Sequence, residues 1–212
     1  GDLASLAQQG ADEIHVTERV QQMNLAADGF SYRRYPVTFW DVYGEAGIPL
    51  RTTISEMGPL LLGRVLDLND LQVDILSVIF KIADDRNLLL IDTKDLKAML
   101  NYVDQNRDEF TMEYGSIAPA SIAAITRAIV SLETQGADRF FGEPALNITD
   151  LLSQDAGQGV INLLDCRKLI LNPDMYSTFL LWMLSELYES LPEVGDQNKP
   201  KIVFFFDEAH ML

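Results

Sequence analysis

The spacing of apolar positions changes period twice along this chain. Residues 1–30 carry little order: Leu3 to Ala7 fits the end of a short helix, Glu13 to Val16 a brief extended piece, and Asp28-Gly29 a turn. The stretch 35–44 then gathers Val37, Phe39, Trp40, Val42 and Tyr43 between Pro36 and Gly44, β-branched and aromatic residues that predict a strand. From about 50 to 140 the period becomes helical. Pro59 to Leu66 predicts a short helix, and Asn69 or Asp70 caps a second one with Leu71, Ile75, Leu76, Val78, Ile79 and Ile82 as its apolar stripe. Thr93 is the expected cap of a third, through Leu96, Met99, Leu100 and Val103, and 104–114 reads as a charged loop. Pro119 opens a fourth helix, with Ile122, Ile125, Ile129 and Leu132 at helical spacing and Gly136 as its stop.

The strand pattern returns with 159–165, an apolar run ending in Asp165. Asn172-Pro173-Asp174 then supplies a cap, a proline at the first helical position and an acid for the positive first turn. That helix runs to Leu191 and stops at Pro192. Its six successive apolar residues, Phe179 to Leu184, fall far short of the roughly 20 that span a bilayer, so no membrane association is expected. After a polar loop comes Ile202-Val203-Phe204-Phe205-Phe206, an unbroken apolar run that predicts a strand covered on both faces. Strand, helix and strand make one right-handed βαβ unit. The expected fold class is α/β, a mostly parallel sheet flanked by helices: a partial core over 1–49, a helical insertion over 50–150, and core again over 151–212.

Asp207 and Glu208 follow the last apolar run directly. Ligands of open α/β sheets bind at the carboxyl ends of strands. An Asp placed there helps to hold Mg²⁺ in P-loop NTPases, and a Glu beside it is suited to align and deprotonate an attacking water. The pair therefore reads as a Walker B motif, with Asp207 on the metal and cofactor side and Glu208 as the catalytic base. The plainer reading is an acidic turn or helix start, where carboxylates are favoured anyway. Asp165 and Asp41, also near strand ends, are weaker candidates, Asp41 being read mainly as structural. The partner motif G-x-x-x-x-G-K-[ST] is not matched, since no Gly-Lys dipeptide occurs.

Composition narrows the picture. A net charge of −16, from 32 acidic and 16 basic residues, gives no clustered cations for a broad nucleic-acid face. The single Cys166 excludes an internal disulfide, and His15 and His210 lie too far apart in sequence to suggest zinc. The opening Gly1-Asp2-Leu3 has neither a basic nor an apolar leader segment, so the expected compartment is the cytoplasm.

The run 177–189, then Leu191-Pro192-Glu193-Val194-Gly195-Asp196, Lys199-Pro200-Lys201 and Phe204-Phe205-Phe206-Asp207-Glu208-Ala209-His210, resembles the HerA/FtsK-like P-loop ATPases, and within them the YjgR-type bacterial branch. Phe140 to Leu146 and Gly1-Asp2-Leu3 share that resemblance. It implies part of a RecA-like P-loop NTPase core, beginning after the Walker A motif and ending before the next sheet strand, so that this stretch alone is expected to be inactive. For the intact protein it implies binding of ATP and Mg²⁺, hydrolysis of the γ-phosphate bond, and a homo-oligomeric ring, usually hexameric, acting on double-stranded DNA. Asp207-Glu208-Ala209-His210 also spells the signature of DEAH-type helicases. Their phosphate loop lies on the order of 100 residues upstream, at roughly 30 per βαβ unit, whereas about 200 residues precede the motif here without one. That match is read as coincidental, with His210 as a helix-start or packing residue. Two other classes stand beside the motor: an ATP-dependent switch or assembly factor, and a non-catalytic helical interaction module.

Overall fold

A computed structural model of the chain describes residues 2–191, 193, 195 and 198–206. A 3-10 turn over Asp2–Ala7 leads to α1, Ile14–Gln22. The expected extended piece at 13–16 is thus helical. Val16 and Thr17 favour strand locally, but Glu18, Arg19, Gln21 and Gln22 extend the helix beyond them. The predicted first strand is β1, Val37–Asp41, followed by the short β2, Ile48–Pro49.

Five helices follow: α2 (Ile54–Val65), α3 (Asp70–Asp85), α4 (Thr93–Gln105), α5 (Arg107–Tyr114) and α6 (Pro119–Thr134). Reciprocal capping boxes start the first three. Thr53 pairs with Glu56, Asn69 with Gln72, and Asp92 with Asp95, each cap side chain taking an otherwise orphaned amide. The third cap corrects the expectation for Thr93. Asp92 accepts from the amides of Lys94 and Asp95, while Thr93 lies inside the helix and donates its hydroxyl to Glu133 of α6 at 2.7 Å. α2 begins earlier than its apolar stripe suggested, because Gly58 breaks it at φ 72° and ψ 165° and Pro59 restarts it.

The charged stretch 104–114 is not a loop, since its first two residues end α4 and residues 107–114 form α5. Its acids face solvent while Phe110 is buried edge-on against Tyr102 of α4. The Arg86 guanidinium lies over both rings and pairs with Glu109. One buried aromatic therefore holds a helix whose own periodicity is weak.

The helical body closes at its base. Thr52 bridges Phe141, with the Thr52 amide donating to the Phe140 carbonyl at 3.0 Å and the Gly142 amide donating to the Thr52 carbonyl at 2.9 Å. The chain thus enters and leaves the helical stretch at adjacent points.

A small hairpin, β3 (Gln154–Asp155) with β4 (Gln158–Gly159), leads into β5, Ile161–Asp165. The main sheet is parallel, in the order β2-β1-β5. The last helix, α7 (Pro173–Ser190), starts as expected: the Asn172 side chain accepts from the Met175 amide, and Pro173 is the first helical residue. α7 packs against α2 and carries Phe179 and Trp182 into a cluster with Phe140, at 5.4 Å between ring centroids for each pair. These rings join the two regions into one apolar core.

The run 202–206 departs from its expected form. It forms no strand pairing among the described residues, and exposure alternates along it. Ile202 and Phe204 pack on the core, whereas Val203 and Phe205 are 58% and 92% exposed. An apolar run becomes a doubly covered strand only where neighbours exist on both faces, and here one face is covered. No single helix among the described residues is long and apolar enough to cross a membrane.

Candidate functional site

The carboxyl ends of β1 and β5 lie side by side, with Asp41 and Asp165 opposite each other in register. These two strand-end acids, 124 positions apart in sequence, are the described part of the edge where an α/β sheet receives ligands. Their chemistry differs.

Asp41 is buried, and backbone amides satisfy it. Its Oδ1 accepts from the Tyr43 amide at 2.9 Å, and its Oδ2 from the amides of Glu45 and Ala46 at 2.7 and 2.9 Å. Three charge-assisted bonds to one carboxylate fold the 42–46 loop over the end of β1. Gly47 completes that loop where no side chain fits, as a Cβ there would lie 2.6 Å from the Phe39 carbonyl oxygen. The structural reading of Asp41 holds.

Asp165 is more open, and Arg167 grips it through two guanidinium nitrogens, at 3.0 Å from Nε to Oδ1 and 2.5 Å from Nη2 to Oδ2. The Arg167 backbone amide adds a third bond, to Oδ1, at 3.1 Å. The guanidinium hydrogen bond holds the Asp165 carboxyl below its usual range, against the opposing effect of burial. Beside it, burial and then the Asp165 and Asp41 carboxylates push the Cys166 thiol up to about 11, so this cysteine stays protonated and inert near neutral pH.

A second charged group borders this edge. Glu45 in the β1 loop pairs with Lys168 after β5, and lies 3.9 Å from Arg139 at the exit of the helical body. The loops after two strands and the return from the helices are thereby tied at the sheet's carboxyl end. In the sequence, Arg167 and Lys168 show only as two adjacent basic residues. Arg139 and Glu45 carried no such signal, because only the return of the chain at Thr52 and Phe141 brings them near it.

Asp207 and Glu208, the expected metal-side acid and catalytic base, lie outside the described residues, as does His210. Among the described residues, no group of three or more His, Cys, Asp or Glu is arranged to hold a metal ion. The lone pairs of Asp41 are taken up by amides and those of Asp165 by an arginine, so neither is a ready Mg²⁺ ligand. The described strand-end acids do not themselves fit a metal centre.

No curated protein and no solved structure matches the chain. A family model described as helicase HerA-like C-terminal matches residues 1–212. That match spans the parallel sheet, the helical body and the acidic tail alike, and the chain belongs to the helicase HerA-like C-terminal family.

Proposed function

We propose that this chain is the middle of an ATPase core, and that the intact protein hydrolyses ATP with Mg²⁺. Asp207 is the residue assigned to the metal and Glu208 the one assigned to take a proton from the attacking water. The observation that carries this reading is the apolar run 202–206 leading directly into two acids in a chain of the HerA-like family. The packing of Ile202 and Phe204 on the same apolar core as Trp40 of β1 supports it. Mg²⁺ supplies charge neutralisation on the phosphates when bound. The Walker A cradle is assigned to a part of the protein outside these residues, so the chain by itself is taken to be inactive. The placement in the YjgR-type branch, a homo-oligomeric and usually hexameric ring, movement along double-stranded DNA and a cytoplasmic setting complete the proposal by analogy.

A second reading, an ATP-dependent switch or assembly factor, is favoured by the net charge of −16, which leaves no broad cationic face for DNA. ATP turnover by the intact protein, with and without double-stranded DNA and beside its Glu208→Gln variant, separates the two. Removing a general base lowers the chemical step by about 10²–10⁴-fold. Turnover that DNA stimulates and the variant loses supports the motor. Turnover indifferent to DNA moves the assignment to the switch, and a fully active Glu208→Gln protein removes Glu208 from the chemistry.

A further inference from the structure

One carboxylate at the sheet's carboxyl end shows where an anion sits. Glu45 lies between two cations from distant parts of the chain: its Oε2 accepts from the Lys168 ammonium, and its Oε1 is 3.9 Å from Nη1 of Arg139. Both cations have donors to spare. The ammonium carries three N–H groups and the guanidinium five, and 3.9 Å is too long for a hydrogen bond. Arg167 differs, since the Asp165 carboxylate takes its guanidinium through two nitrogens.

The Glu45 carboxylate is free to leave without disturbing its loop. Backbone amides bound to Asp41 fix residues 42–46, the Glu45 amide among them, and the Glu45 side chain takes no part in that. Lys168 has a support of its own, with its ammonium 6.0 Å from the centre of the Tyr43 ring. All three charged side chains are open to solvent, at 47% for Glu45, 59% for Lys168 and 60% for Arg139. Ion pairs this exposed contribute little to stability, so a stronger anion displaces the carboxylate readily.

We propose that Lys168 and Arg139 form a phosphate subsite, and that Glu45 occupies it as a built-in competitor until a phosphate group replaces its carboxylate. A phosphate carries more charge and more acceptor oxygens than a carboxylate. It therefore satisfies both cations, where Glu45 reaches only one of them within hydrogen-bond distance. The position fits, because Glu45 follows β1 and Lys168 follows β5 at the edge where such sheets receive ligands. Assigning the phosphate to a nucleotide rests on the ATPase reading above, whereas the subsite itself does not.

Isothermal titration of the intact protein with inorganic phosphate and with ATP tests it in three variants. Glu45→Gln removes the competitor and keeps the loop, so it should tighten binding about two- to fivefold, the range an exposed ion pair supports. Lys168→Met and Arg139→Gln should each weaken binding by a similar factor, and Arg139→Gln stands alone if Lys168→Met does not fold. The opposite signs are what a purely structural tie does not produce, since breaking it from either side has the same consequence. Shifts of one sign in all variants, or no shift toward either ligand, overturn the proposal. Opposite shifts confined to ATP support it with a nucleotide's phosphate as the ligand, and opposite shifts with inorganic phosphate support it with free phosphate. A protein that binds no ATP ends the ATPase reading, and the phosphate titration then decides the subsite by the same signs.

Discussion

The helical body and the sheet follow opposite rules, though they share one core. In the body, Ile54, Leu76, Ile79, Ile82, Leu96, Leu100 and Ile125 are completely buried, and three capping boxes fix where helices begin. In the sheet, all five residues of β5 are only half-buried, and the apolar run after α7 is covered on one face. The helices satisfy their own backbone and need only one apolar stripe covered, which neighbouring helices supply. A parallel sheet needs partners at its edges and layers on both faces, so its strands depend on more distant contacts. Fully buried side chains are concentrated in the first region, and the strand-end acids of the candidate site lie in the second.

The sharpest way to break this contrast is a matched pair of truncations. Leu100→Ala removes a fully buried side chain from α4 and should cost about 2–5 kcal/mol, whereas Ile48→Ala at the sheet edge, 52% exposed, should cost less than about 1 kcal/mol. Denaturant unfolding of both variants reads the difference, and equal costs would mean that the sheet edge is as tightly packed as the body.

A smaller effect is expected at the strand ends. Asp41→Asn keeps the shape but removes the charge and one acceptor from a carboxylate bound by three amides, so it should lose about 1.5–3 kcal/mol. The loss belongs to folding. In the intact protein it should appear in the melting temperature, and a loss of nucleotide affinity with unchanged stability would instead make Asp41 a binding residue.

The smallest effect sits where the two regions meet. Burial, followed by repulsion from Glu56 and Glu189, holds the Glu186 carboxyl on α7 above its ordinary value. A carboxyl raised in the folded state binds its proton more readily there than in the unfolded chain. Its cost is therefore fully present above the raised value and is relieved as pH falls through it. Glu186→Gln should raise the melting temperature slightly at neutral pH and leave it unchanged at pH 4. A variant less stable than the parent at neutral pH would show that the charge has an attractive partner.

How much of this was legible in the sequence depended on how local the cause was. The stripe on α3, the Asn172-Pro173 start of α7 and the β-branched content of β1 each act within a few residues, and each could be read directly. The helix at 107–114 was hidden because a single tertiary contact, Phe110 with Tyr102 and Arg86, holds it. The Thr93 cap was misplaced by one residue because Asp92 competes for the same amides with a stronger acceptor. At the candidate site, Asp165 was visible as the acid ending an apolar run. The Glu45, Lys168 and Arg139 group was not, since its members come together only when the helical body returns to the sheet.

The sequence by itself determined the α/β class, the succession of helices, the acids that end the strands and the family resemblance, because periodicity, capping and motif order are properties of neighbouring residues. Tertiary structure alone decided that Asp41 is consumed by its own loop, that Asp165 is gripped by Arg167, and that the apolar run 202–206 is covered on one face only. Those outcomes turn on which groups compete for the same lone pairs and which surfaces find a neighbour, and that competition exists only once the chain is folded.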